Sequence, residues 1–235
     1  MTQIFNNFQK YYEVKKIITT IIFFIIYKMV YLMKKLPKIL KEIIDDYKKN
    51  LQLKFKKRTT EMSSDVNNHY MIYKVLGISK EKGRMIDLYQ NFGRFLYKDL
   101  GALIQKTVTE CIISAHPNAK PSVKIKNTAS LKPKTFEIDC LVNKDAFEIK
   151  WKDATTDGDH IEKEHKRIKV IANEGLIPIR LMFFLPEREQ AKKIQKKLES
   201  VYENEGGQYY SGDKAWDFLK KYTLFDLKSF FEKYN

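Results

Sequence analysis

The sequence predicts an α/β fold in which a helix, three strands, a second helix, a fourth strand and a third helix follow one another, with helical additions at both ends. Three observations carry that expectation. From Phe136 to Lys152 two short arms alternate apolar and polar residues around the turn Asn143-Lys144-Asp145, the period-two signature of a hairpin. Ile177–Leu185 (IPIRLMFFL) is almost wholly apolar, as suits a strand buried on both faces. The segments that separate and follow these, Asp159–Asn173 and the run after Pro186, end at Gly175 and at Gly206-Gly207, which are helix stops.

The elements follow in chain order. Ile17–Tyr27 (IITTIIFFIIY) is an apolar run, continued past Lys28 by MVYLM. It is shorter than the roughly 18 uninterrupted apolar residues of a membrane span, and no small-residue cleavage site follows it. A packing helix, a membrane-surface anchor and translated sequence upstream of a start at Met29 or Met33 are the readings left open. No stable membrane association is expected. Leu36, Ile39, Leu40, Ile43, Ile44 and Tyr47 recur at helical spacing, with Pro37 where a helix could begin. Met85–Ser114 is helical, as one kinked helix or as two, because Gly83, Gly93 and Gly101 interrupt it; HPNAKP ends it. Ser122–Asn127 alternates like a strand. In the hairpin, Phe136, Ile138, Cys140 and Val142 belong to one face and Glu137, Asp139 and Leu141 to the other. The second arm turns Phe147, Ile149 and Trp151 inward and Glu148, Lys150 and Lys152 outward. Short helices near Asp213–Tyr222 and Leu224–Tyr234 finish the chain.

The bulk properties narrow the function. At 235 residues and 43% hydrophobic content the chain can build one substantial core, which excludes a wholly disordered protein. A net charge of +15 points to a polyanionic partner, nucleic acid or an anionic membrane surface. The first 58 residues hold 14 basic and 4 acidic side chains, a local charge of +10. Lys54, Lys56, Lys57 and Arg58 are therefore either a clamp on a DNA backbone or a solvated charged face. Cys111 and Cys140 lie far apart in apolar runs, which fits small core residues in a reducing compartment and not a zinc site.

The chemistry concentrates in the hairpin. Asp139 on one arm and Glu148 with Lys150 on the other share its polar side. Phosphodiester hydrolysis needs a divalent metal, an activated water and charge stabilisation at phosphorus. Mg²⁺ takes oxygen ligands, usually one or two carboxylates with waters and phosphate oxygens. Asp139 and Glu148 are the candidate carboxylates and the main-chain carbonyl of Ile149 a further ligand. Lys150, two residues after Glu148, shares its strand face and is placed to orient or deprotonate the attacking water. The rival account is an exposed hairpin face with a cross-strand ion pair.

The residues that follow, KWKDATTDGDHIEKEHKRI, together with the upstream HYMIYKVLGIS and IDLYQNFGRFLYKDLGALI, resemble the corresponding stretches of ApaLI-like type II restriction endonucleases in the PD-(D/E)XK nuclease superfamily. The resemblance spans roughly residues 68–185. It implies the superfamily's core of helix, three strands, helix and strand. It further implies a cytoplasmic, Mg²⁺-dependent, sequence-specific endonuclease acting in host defence, a homodimer on a palindromic site related to GTGCAC. A cognate DNA methyltransferase is expected in the same system but not as a stable subunit. The superfamily motif falls on Asp139, Glu148 and Lys150, although Ile138 stands where the motif's proline would be. Such nucleases often add an acid from the preceding helix. Glu110 is the first candidate, with Gln105 and Asp99 as alternatives. On this basis residues 1–33 are an appendage or start artefact, and 34–235 form one endonuclease domain with its core near 85–204.

The loop Ala154–His160 opens the next helix. Asp157 and Asp159 suit cytosine amino groups, and Thr155, Thr156 and His160 base edges or phosphates; Thr156, Asp157 or Asp159 could equally cap the helix. Lys163, Lys166 and Arg167 are candidate contacts to double-stranded DNA. His160, Glu164 and His165 lack the spacing of a helical zinc pair. The rival functions are a structure-specific nuclease, such as a resolvase or repair enzyme, a non-catalytic basic DNA-binding protein, and a membrane-associated protein anchored through residues 17–33.

Overall fold

The computed structural model describes residues 2–64, 68–130, 132–152 and 159–234. Three helices lead into the sheet: α1 (Thr2–Ser63), α2 (Tyr70–Val75) and α3 (Lys80–Ala115). Then come β1 (Lys120–Lys126), β2 (Thr135–Val142), β3 (Asp145–Lys152), α4 (Asp159–Asn173), β4 (Ile177–Phe184), α5 (Glu189–Asn204), β5 (Gln208–Ser211), α6 (Asp213–Thr223) and α7 (Leu227–Glu232). The sheet order is β1-β2-β3-β4-β5. β1, β2 and β3 are antiparallel neighbours, and β4 and β5 continue the sheet in parallel with β3.

Both faces of the sheet are covered. On one, Leu36 and Leu40 of α1, Val108 and Ile112 of α3, and Trp216 and Leu219 of α6 pack on Cys140, Phe147, Ile149 and Leu181. Ile171 of α4 packs on Ile138 and Ala146 on the other. Both cysteines are free and buried, so they serve as core side chains.

Four features depart from the sequence expectation, each for a physical reason. First, α1 does not begin at Pro37 but runs through it. A proline inside a helix costs about 3 kcal/mol, whereas fully burying a leucine contributes roughly 1.5–3 kcal/mol. Leu36 and Leu40 are both completely buried, which offsets the cost.

Second, of the two readings left open for this segment α3 takes the single helix, and it begins at Lys80 and not at Met85. At Gly101 the missing Cβ makes room for Trp151, whose Cδ1 would lie 3.2 Å from it.

Third, β5 escaped the sequence reading. It is only four residues long and follows a glycine pair. A Cβ at Gly207 would meet the Pro178 carbonyl oxygen at 2.6 Å, so the glycine is what lets β5 close against β4.

Fourth, β2 does not keep one alternation throughout. Cys140 and Val142 join the cluster of Phe147, but Ile138 packs with Ala146 and Ile171. The strand changes face at Asp139, and Asp139 is absent from both ladders that β2 makes.

Among the described residues no helix is long and apolar enough to cross a membrane.

Candidate active site

The interruption at Asp139 creates the site. Pairing between β2 and β3 covers only Cys140↔Phe147, Leu141↔Ala146 and Val142↔Asp145. Beyond it the strands part, and the Asp139 side chain fills the role of the missing backbone partner. The Ile149 main-chain N–H donates to Asp139 Oδ2 at 2.7 Å, and the Gln105 side-chain amide of α3 donates to Oδ1 at 2.8 Å. The N–H and C=O of one strand residue point to the same side, so the Ile149 carbonyl opens into this gap too.

Glu148 and Lys150 share a face of β3, with Lys150 Nζ 2.6 Å from Glu148 Oε1. The expectation that this face is open to solvent is corrected, because α4 covers it and Glu148 is only 6% exposed. Arg167 of α4 pairs with Glu148 Oε2. It also bonds Glu164 Oε1 at 3.2 Å and the Glu137 carbonyl at 2.8 Å. Glu164 in turn accepts from Arg180 Nη1 at 3.1 Å and from the Tyr202 hydroxyl at 2.8 Å. A buried chain of alternating charge thus runs from Glu148 through Arg167 and Glu164 to Arg180. Taking an ion out of water costs several kcal/mol, and only paired, hydrogen-bonded geometry offsets it.

This network sets the two carboxylates apart. Burial would raise the Glu148 carboxyl, but Arg167, Lys150 and Arg180 overcome it and hold Glu148 well below the usual carboxylate range. Burial pushes Asp139 up, and the neighbouring Glu148 charge pushes it further, to about 7, against the pull of the Ile149 N–H, Lys150 and Arg167. One carboxylate is fixed as an anion, and its repulsion of the other is what a divalent cation between them would relieve.

Among the described residues no three His, Cys, Asp or Glu side chains are grouped to hold a metal ion. Mg²⁺ does not require such a group, since one or two carboxylates and a carbonyl leave its remaining positions to water and phosphate. Asp139, Glu148 and the Ile149 carbonyl are a donor set of that kind.

The other candidates separate. Glu110 is paired with Lys106 at 2.8 Å. It lies about 140° around α3 from Gln105 at 3.6 residues per turn, so Gln105, not Glu110, is the α3 side chain that reaches Asp139. Asp99 is taken by Lys54.

Arg167 is turned inward and 8% exposed; its guanidinium serves Glu148 and Glu164 instead of lying on the outer surface. Lys163 and Lys166 are exposed on α4, Lys166 in a 2.6 Å pair with Glu162. Thr155, Thr156 and Asp157 lie outside the described residues, as do the side chains of Asp159 and His160. His165 pairs with Glu205 at 2.9 Å, away from the Glu164 network.

Arg180 and Tyr202 are not singled out from sequence, and Glu164 enters there only in a zinc reading that its spacing rejects. Arg180 had a signal, as the lone charge inside the apolar run IPIRLMFFL, which demands a buried counter-ion.

The ApaLI-like restriction endonuclease family matches residues 28–235, nearly the whole described structure and more than the 68–185 resemblance. No curated protein and no solved structure matches the chain.

Proposed function

The chain belongs to the ApaLI-like restriction endonuclease family, and from that premise we propose that it is a Mg²⁺-dependent type II restriction endonuclease with a PD-(D/E)XK core, cutting double-stranded DNA at a specific site. The observation that carries this reading is the convergence of Asp139, the Ile149 carbonyl, Glu148 and Lys150 where β2 and β3 part.

In this reading Asp139, Glu148 and the Ile149 carbonyl hold the metal. The bound ion would supply Lewis-acid polarisation of the phosphate and lower the pKa of a coordinated water. The Ile149 N–H and the Gln105 amide fix the Asp139 carboxylate from both oxygens. Arg167, buried and doubly bonded, anchors one oxygen of Glu148. Lys150, with a side chain 41% exposed, is the looser of the two cations on Glu148. It is the one free to swing toward the phosphate, where it orients the attacking water and balances negative charge at phosphorus. The water gives up a proton to solvent as its oxygen bonds phosphorus, the phosphorus–oxygen bond to the leaving sugar oxygen breaks, and that oxygen takes up a proton from solvent.

Recognition is assigned to the segment from Thr155 to Lys166, with Asp157 and Asp159 reading base edges and Lys163 and Lys166 meeting phosphates. A two-fold homodimer would place one site on each strand of a palindrome. Host defence, a cytoplasmic location and a separate cognate methyltransferase complete the proposal.

Incubating the protein with defined plasmid DNA and Mg²⁺, then sequencing the fragment ends, tests it. Discrete ends at one short palindrome, abolished by chelator, are expected. Cutting set by DNA structure regardless of sequence would make it a structure-specific nuclease, and binding without cutting would make it a DNA-binding protein alone.

A further inference from the structure

A second basic feature lies outside the site. From Leu36 to Arg58 α1 packs against α3, with Phe55 and Phe92 stacked at 4.4 Å between ring centroids, and beside that seam they leave a cleft of about 530 Å³. Lys54, Lys57 and Arg58 of α1 and Arg94 and Lys98 of α3 line it, against Glu61 and Asp99.

The acids are already engaged. Lys54 holds both oxygens of Asp99, at 2.6 and 2.8 Å, and Arg58 bonds Glu61 at 3.1 Å and Asn91 at 3.0 Å. Arg94 and Lys98 are exposed and make no ion pair among the described residues. Lys57 lies 3.9 Å from Glu61 as well, so three cations of α1 are paired with acids, and two uncompensated ones come from α3.

Their position on α3 ties them to the catalytic site. Lys98 and Arg94 precede Gln105 by seven and eleven residues, and Gln105 bonds Asp139. At 3.6 residues per turn both fall within about 20° of Gln105 around the helix, about 10 and 16 Å along it. Duplex DNA rises 3.4 Å per phosphate on each strand, so for a duplex running along α3 with the cut level with Gln105 these separations would equal roughly three and five base pairs.

We propose that the α1–α3 cleft grips the DNA backbone flanking the cut, with Arg94 and Lys98 meeting phosphates about three and five base pairs from the scissile one. The proposal rests on the nuclease reading above and adds where the non-specific part of the binding energy resides. The clamp expected at Lys54–Arg58 is then only half of a site whose cations without an acid partner come from α3.

Binding of the full chain to a labelled random duplex, in Ca²⁺ so that no cutting occurs, is measured by anisotropy from about 50 to 200 mM salt. Each phosphate contact contributes about 0.9 to the slope of log affinity against log salt. R94A/K98A is expected to lower the slope by about 1.8, each single variant by about half of that. The charge-keeping swap R94K/K98R is expected to retain it.

An unchanged slope in R94A/K98A with the parent binding normally overturns the cleft alone. Loss of slope in the swap as well would assign the effect to packing and also overturn it. A parent with no salt-dependent DNA binding at all overturns the nuclease reading, and the cleft with it.

Discussion

The two edges of β3 are treated very differently. Along one, β3 stays in parallel register with β4 from Asp145↔Ile177 to Lys152↔Phe184. Along the other, its pairing with β2 stops after Cys140↔Phe147. The complete edge carries structure: Phe147 and Ile149 face one core, and Glu148 sits beside Arg180, its register partner, in the buried charge network. The incomplete edge carries the proposed chemistry, because a ladder that stops leaves an N–H, a carbonyl and a carboxylate aimed into one gap. The contrast teaches that the proposed site lies where backbone pairing is withheld at one point of a sheet that is paired on either side of it.

The largest effects should come from the open edge. Asp139→Asn and Glu148→Gln should bring cleavage below detection. Lys150→Ala should lower single-turnover cleavage by about 10²–10³-fold, the scale of losing one group that stabilises transition-state charge. DNA binding in Ca²⁺ should survive in at least one of the three. Near-parental cleavage by Lys150→Ala would remove it from the catalytic set.

On the closed edge the expected loss is of stability. Arg167→Met takes away the buried cation on Glu148, leaving it to Lys150 and leaving Glu164 to Arg180 and Tyr202; breaking a buried pair from one side costs about 3–5 kcal/mol. Urea unfolding in the absence of DNA reads this directly. A change below about 1 kcal/mol would mean that the network contributes little to the fold and that Arg167 has to be explained by DNA.

A pH experiment joins the two edges. Asp139 is raised to about 7 from an unfolded value near 3.9. The folded protein therefore binds more protons than the unfolded one between those values, and this group's contribution to stability falls as pH rises through the window. The slope is at most about 1.4 kcal/mol per pH unit. Asp139→Asn should be the more stable protein at pH 8 in chelator, with the difference gone below about pH 4. Mg²⁺ should flatten the parental curve by stabilising the ionised form. Parallel stability curves for the two proteins between pH 4 and 8 would show that the Asp139 charge is not under strain.

How much of this was legible in sequence follows from the range of the interactions. The hairpin, α4 and β4 were readable because period, turn residues and glycine stops are local. The assignment of Asp139, Glu148 and Lys150 to neighbouring strands needed nothing more. The burial of Glu148 was not readable, because it depends on α4 folding back over β3 and presenting Arg167. The face change at Asp139 was equally hidden: Ile138 and Cys140 are both apolar, and alternation alone assigns them to one side. Pro37 misled for the opposite reason, since a strong local signal lost to tertiary packing of Leu36 and Leu40. Gln105 over Glu110 could be chosen only once the rotation of α3 against β2 was known.

The smallest effect is expected far from either edge, at the start of α1. The family match begins at residue 28, and among the described residues the first α1 side chains in the core are Met33, Leu36 and Leu40. None of the residues around Asp139 or lining the α1–α3 cleft precedes Lys54. A chain begun at Met33 keeps the helix that packs on α3 and every group assigned to metal, phosphate or base. It should cut at the same site with a rate within about twofold of the full chain and a stability within about 1 kcal/mol, the range of changes that leave core contacts intact. The informative failure is specific. If the shortened chain folds and binds DNA with the parental salt slope but no longer cuts both strands in one encounter, residues 1–32 belong to the dimer. Sedimentation would then show a monomer where the full chain is paired.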